Sequence, residues 1–211
     1  MSRLGLPTPA NRHKFDKRGF EAAVIGCSAG GLHALRVVLG ALPAELAMSV
    51  IIVAHTAADG DHLLPALLAK ICKLPVSEAR EREPILPGQV YIAPPNYHLL
   101  IEPERNFGLS VDGKVCFVRP SIDVLFCSAA DVFRENLMAI ILTGANSDGA
   151  QGLKAVKEAG GYTLAQEPHG AYADTMPKAA IATGAVDRVL PLAGLAQEIV
   201  HVCPALKNHD A

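Results

Sequence analysis

Tryptophan is absent from this 211-residue chain, and aromatic residues make up only 5% of it. A core without many large rings has to be filled by Ala, Leu, Val and Ile. That favours helices packed closely on a sheet and argues against a platform on which nucleic-acid bases would stack. Charge is also scarce. Charged residues are 19% of the chain, and the net charge is −2, whereas a non-specific grip on nucleic-acid phosphates needs a clustered excess of Lys and Arg. The longest strongly apolar run, residues 46–54, falls well short of the roughly 20 residues that span a bilayer. The start, Met1-Ser2-Arg3-Leu4-Gly5-Leu6-Pro7, has no apolar signal core, so export is not expected. Five cysteines stand at 27, 72, 116, 127 and 203. None has C-x-x-C spacing and their number is odd, which speaks against a disulfide framework or a structural zinc site. A reducing cytoplasm is the expected compartment. What the chain does have is apolar residues, 50% of the total, enough to bury the core of one ordinary domain and to rule out disorder as its main state.

Residues 1–19 hold Pro7, Pro9 and five basic residues and are expected to form a flexible leader. The domain proper is expected over residues 20–205. Within it, Ala22-Ala23-Val24-Ile25 has the composition of a buried strand, followed by the Gly-rich turn Gly26-Cys27-Ser28-Ala29-Gly30-Gly31 and a helix carrying Leu32, Leu35, Val38 and Leu39. Residues 49–54 form a second apolar run that stops at His55, with an amphipathic helix predicted over 61–73. Strand then helix, repeated, is the signature of a parallel sheet with crossover helices. From Pro75 to Pro120 prolines are frequent, and Asp112-Gly113 lies between two extended runs. That dipeptide predicts a type I′ hairpin within a β-rich insertion. Alternation then resumes. A helix is predicted over 122–135 with Ser121 as its N-cap, a strand over 138–143, a helix ending at Gly160-Gly161, a strand over 162–165, a short helix after Pro177, a strand over 188–190 and a last helix. The fold class expected is α/β: a three-layer, mostly parallel, doubly wound (Rossmann-like) sheet with a β-rich insertion.

In open parallel sheets, ligands bind beyond the carboxyl ends of the strands. Three chemically competent residues follow three predicted central strands: Ser28, His55 and Asp148. Together they make the arrangement that activates an alcohol. The imidazole takes the serine proton, and the carboxylate fixes the tautomer and stabilises the imidazolium. Each also has a structural reading: Ser28 as a helix N-cap or phosphate-loop residue, His55 as a satisfied core residue, Asp148 as a cap before Gly149. The string Gly26-x-Ser28-x-Gly30 matches G-x-S-x-G, although the chain order Ser, His, Asp is not that of α/β-hydrolases. A dinucleotide-binding turn would need glycine where Ser28 stands and an acidic residue where His55 stands. Glycines 26, 30 and 31 are expected to shape a tight turn and aim the next helix's N-terminus at the site, where backbone N–H groups can stabilise an oxyanion.

These stretches resemble the catalytic domain of the CheB family, the chemotaxis protein-glutamate methylesterases. The matching segments are residues 25–31; Ile52-Val53-Ala54-His55; Val90-Tyr91-Ile92-Ala93-Pro94 with His98; Arg119-Pro120-Ser121-Ile122-Asp123 through Phe126; Leu142-Thr143-Gly144 with Asp148-Gly149-Ala150; Gly160-Gly161 with Ala165-Gln166; and Met176-Pro177. They fall in the family's order over about residues 20–200. The resemblance implies a catalytic triad of Ser28, His55 and Asp148, no metal and no organic cofactor. It implies hydrolysis of γ-methyl esters on glutamates of methyl-accepting chemotaxis receptors, with deamidation of receptor glutamines as a related acyl transfer. The partner implied is therefore such a receptor; a separate regulator or a methyltransferase is a further candidate partner.

Two departures from the family pattern bear on that expectation. The leader is too short for the receiver domain that usually precedes the catalytic domain, so the chain is expected to be a free-standing catalytic domain. Around the acid the family reads Thr-Gly-Met-Gly-x-Asp-Gly, where this chain has Thr143-Gly144-Ala145-Asn146-Ser147-Asp148-Gly149. Ala29, Ala145 and Asn146 are therefore expected at the oxyanion site and pocket, with the hole retained and the pocket altered. Asn tolerates a left-handed backbone if residue 146 requires one. His98 is expected either beside the site or anchoring the β insertion. Arg119 is expected to meet an acidic receptor surface or to cap a helix. Cys27 should point into the core. Two other classes stay open: a catalytically weakened signalling module of the same fold, and a nucleotide-binding α/β domain.

Overall fold

The computed structural model describes residues 19–55 and 63–203; residues 1–18 of the expected leader, the first two residues of the helix predicted from 61, and the last two residues of the expected domain lie outside them. The elements in chain order are β1 (Ala22–Cys27), α1 (Gly31–Gly40), β2 (Ser49–Ala54), α2 (Leu64–Ala69), β3 (Val76–Glu78), β4 (Val90–Ile92), β5 (His98–Ile101), β6 (Phe107–Ser110), α3 (Ile122–Phe133), β7 (Leu137–Ile141), α4 (Ala150–Glu158), β8 (Tyr162–Gln166), α5 (Thr175–Ala182), β9 (Arg188–Leu190) and α6 (Leu192–Val202). Short 3-10 turns occupy Arg134–Asn136 and Pro168–Gly170.

Seven strands form one sheet in the order β3-β4-β2-β1-β7-β8-β9, and every pairing is parallel. The chain builds outward from β1 through β2 to β4 and β3. It then returns to β1's other side with β7 and builds outward again. Side chains alternate across the strands, so the two faces carry separate cores. Ile25, Ile52 and Ile140 pack with Leu35, Leu39, Leu195 and Ile199 on one face. Val24, Ile51 and Ile141 pack with Ile122, Phe126 and Leu153 on the other. Helices thus cover both faces, as near-continuous apolar strands require. The expected three-layer, doubly wound fold is the one observed.

The segment between Pro75 and Pro120 differs from expectation in two ways. Part of it is not an insertion, because β3 and β4 join the main sheet beside β2. The antiparallel hairpin is β5–β6, turning through residues 102–106, and Asp112-Gly113 lies after it in irregular chain. The two-residue turn comes at Cys116-Phe117. Val115 and Val118 exchange backbone hydrogen bonds across it, and both central residues have positive φ, 49° and 65°. That is the type I′ signature, reached without Asn or Gly.

Candidate active site

Ser28, His55 and Asp148 lie at the carboxyl ends of neighbouring central strands. β1 and β2 run in register, Cys27 opposite Ala54, and the His55 N–H donates to the Cys27 carbonyl at 2.9 Å. Ser28 and His55 therefore leave the sheet side by side. The Ser28 N–H donates to the Thr143 carbonyl at 2.9 Å, which ties the serine turn to the end of β7, the strand that leads to Asp148.

Asp148 is fully buried, and its carboxylate is ringed by donors. His55 Nε2 lies 2.9 Å from Oδ2. Ile122 N–H donates to Oδ2 at 2.6 Å, Ser121 Oγ to Oδ1 at 2.8 Å, and Asp123 N–H to Oδ1 at 3.2 Å. The acid thus sits on the first turn of α3, where N–H groups lack partners within the helix and the dipole favours an anion. Burial pushes its pKa up, but the donations from His55, Ile122, Ser121 and Asp123 outweigh burial and hold it below the usual aspartate value. An ionised carboxylate only accepts, so Nε2 of the imidazole carries the hydrogen and Nδ1 carries the free lone pair. That lone pair is what a general base uses.

Gly26 explains how α3 comes so close. A Cβ at Gly26 would lie 2.4 Å from Cγ2 of Ile122. Its role is close helix–sheet approach within β1, not the tight turn expected from sequence. Gly30 does take the turn role, with φ 81° at the N-cap of α1. A Cβ at Gly31 would meet Cys27 Sγ at 2.6 Å. Cys27 is fully buried as expected, and burial pushes its thiol up to about 12.

Among the described residues, Ser28 Oγ makes no hydrogen bond to His55. The group facing Nδ1 is the Asn146 side chain, whose Nδ2 lies 3.4 Å away, while its Oδ1 accepts from the Asp148 N–H at 3.2 Å. Asn146 does not have a positive φ, so its backbone needs no glycine. Ala145 is exposed and Ala29 half-buried. Thr143 Oγ1 donates to the Ala29 carbonyl at 2.8 Å and accepts from the Ala173 N–H at 2.9 Å. His98 is buried, with both nitrogens engaged. Nδ1 accepts from the Ser121 N–H at 3.2 Å, and Nε2 lies 3.0 Å from the Gly113 carbonyl. It therefore ties the segment after β6 to the cap of α3 and stands one residue behind Asp148. Arg119 Nη1 donates to the carbonyls of Val111 and Asp112, and the side chain also lines a cleft of about 210 Å³ that includes His55, Lys114 and Phe117. Cys116 Sγ and the carboxylates of Asp123 and Asp148 come within 4.8 Å of one another. Both carboxylates already accept backbone N–H groups, so a cation there would have to displace the donors that hold the acid.

Residues 23–199 match the family model described as CheB methylesterase. The chain belongs to the CheB methylesterase family. A provisionally named protein-glutamate methylesterase/protein-glutamine glutaminase of Leptospira interrogans is 46% identical over 183 residues, covering 87% of this chain and 95% of that relative. The protein-glutamate methylesterase/protein-glutamine glutaminase 1 of Carboxydothermus hydrogenoformans is 39% identical; the match covers 87% of this chain but 55% of that relative. Among solved structures, the Thermotoga maritima CheB methylesterase catalytic domain superposes with a TM-score of 0.83 at 31% identity, covering 86% of this chain and 98% of that one.

Several contacts around the candidate site were not legible as such from single residues. Ser121 signals a helix cap, and it is one: its Oγ accepts from Val124 N–H. That the same hydroxyl also donates to Asp148 depends on where α3 docks. Gln166 gives no local signal, yet its Oε1 accepts from the Thr143 N–H at 2.8 Å. Tyr172 packs against Gly30, where a Cβ would come 2.5 Å from the tyrosine Cβ.

Proposed function

We propose that this protein is a serine hydrolase acting as a protein-glutamate methylesterase, with methylated glutamates of a methyl-accepting chemotaxis receptor as substrate. The observation that carries this reading is the His55–Asp148 hydrogen bond, 2.9 Å long, at the sheet rim beside Ser28, in a chain whose family is the CheB methylesterases. Ser28 Oγ attacks the γ-carbonyl and His55 Nδ1 takes its proton. Asp148 holds the Nε2 hydrogen and balances the imidazolium. Backbone N–H groups of Ala29 and Ala145 are the candidate donors to the oxyanion. Methanol leaves with the proton from His55, and water then frees the glutamate from the Ser28 ester by the same relay. No step needs a metal or organic cofactor.

The same acyl transfer on glutamine would release ammonia. The names of the relatives, which include protein-glutamine glutaminase, favour testing it alongside. The experiment follows methanol released from methyl-labelled receptor, and ammonia from unmodified receptor, for wild type and Ser28→Ala. Methanol release that disappears with Ser28→Ala supports the esterase. Receptor binding without turnover in the wild type would instead favour a binding module.

A further inference from the structure

Two aromatic side chains on this protein lie far out in solvent. Phe117 is 94% exposed and Tyr172 84%, the two highest values for large hydrophobic residues among those described. The chain spends few aromatics, six Phe and four Tyr with no Trp, so two left in water stand out. Both flank the candidate active site. Phe117 lines the cleft that contains His55, and Tyr172 packs its Cβ against Gly30, two residues from Ser28.

Phe117 is also held there at a conformational cost. It and Cys116 are the central residues of the type I′ turn, with φ 65° and 49°. Left-handed backbone is disfavoured for bulky side chains, and glycine or asparagine would relieve it. Strain of this kind persists where surrounding structure enforces it, and it concentrates at functional sites. The enforcement is visible: Val115 and Val118 bond across the turn, and Arg119 pins the irregular chain after β6 through the Val111 and Asp112 carbonyls. Lys114 and Arg119 give the cleft a basic wall, and among the described residues no carboxylate lines it.

We propose that Phe117 and Tyr172 form an aromatic clamp on either side of the catalytic groups. It docks an acidic segment of a protein substrate whose apolar flank meets the two rings and whose unesterified carboxylates meet Lys114 and Arg119. This rests on the esterase reading, and it says which surface distinguishes a protein substrate from a small ester. Aromatic anchors near the centre of a contact carry much of its binding energy, while rim charges mainly set approach and selectivity.

The test uses the full chain and two substrates: methylated receptor protein and a blocked glutamate γ-methyl ester. Phe117→Ala and Tyr172→Ala are each expected to raise KM for the receptor about tenfold, while small-ester kcat/KM stays within about twofold of wild type. Phe117→Gly is expected to raise the thermal midpoint, by relieving the turn, while still raising the receptor KM. A purely structural role would not separate those two effects. The clamp is overturned if receptor and small-ester rates fall together, or if neither variant changes the receptor KM. Titration of receptor into Ser28→Ala protein separates the clamp from the chemistry. A Phe117-dependent Kd with no hydrolysis of either substrate by wild type would leave the clamp standing and remove the esterase. Small-ester hydrolysis with a Phe117-independent Kd would do the reverse.

Discussion

At His55, one lone pair has two claimants. Nε2 is committed to Asp148, so in the proposed mechanism Nδ1 receives the serine proton, yet the Asn146 amide donor faces it at 3.4 Å. The amide cannot simply turn around, because its oxygen accepts from the Asp148 N–H. Such a long bond contributes toward the low end of about 0.5–1.5 kcal/mol, and it competes for the lone pair that the proposed mechanism uses. Asn146→Gly should therefore raise kcat about two- to fivefold. The other charged groups near the imidazole, Asp148 behind it and Lys114 and Arg119 across the cleft, stay in place in that variant. Steady-state kinetics of wild type and variant check this; an unchanged kcat would mean Asn146 does not act on Nδ1.

At the scale of elements, α3 matters more than any single strand. Its first turn supplies Ile122 and Asp123 N–H groups to the acid, and its cap supplies Ser121 Oγ. It reaches the sheet because Gly26 leaves room for Ile122. Gly26→Ala should push that helix start outward. The expected outcome is a loss of about 1–3 kcal/mol in stability and a fall of about tenfold in kcat. Urea unfolding and steady-state kinetics measure the two, and a stability loss with full kcat would separate α3 placement from the chemistry. The helix and its cap were legible in Ser121 and the apolar spacing after it, and β1, β2 and β7 in uninterrupted apolar runs. β3 and β4 were not, since three-residue strands flanked by proline carry almost no periodic signal. The Asp112-Gly113 turn signal was overridden by tertiary context. Arg119 and His98 hold that stretch by its carbonyls, and the tight turn falls on a pair that local preference disfavours. Of the site, the positions after the strands were legible, whereas the partners Gln166 and Tyr172 depend on contacts between distant loops.

For the whole molecule, the acid links chemistry to stability. In the folded chain, Asp148 loses its proton more readily than an exposed aspartate, whose ordinary value is about 3.9. A carboxyl with a lower pKa folded than unfolded adds stability above the unfolded value, and that contribution is lost as pH falls through the folded one. Asp123 works in the opposite sense. Burial first, then the nearby Asp148 charge, push its pKa up, so its protonation on acidification favours the fold. Asp148→Asn should lower stability at pH 7 by about 1–3 kcal/mol, and the gap from wild type should narrow below about pH 4. Urea midpoints at pH 7 and pH 3 test this; a gap that stays constant would show that the charge is not the source.

The carboxylates of Asp148 and Asp123 are exchanged between neighbouring helices. Asp148, just ahead of α4, serves the start of α3, while Asp123 in α3 accepts the Gly152 N–H in the first turn of α4 at 2.6 Å. Each helix is fastened by an anion borrowed from the other. If the proposed triad holds, a variant made at position 148 would therefore be wounded twice, in its reactivity and in its scaffold. Ser28, whose hydroxyl makes no hydrogen bond among the described residues, is on the proposed mechanism the place to silence the protein without disturbing it.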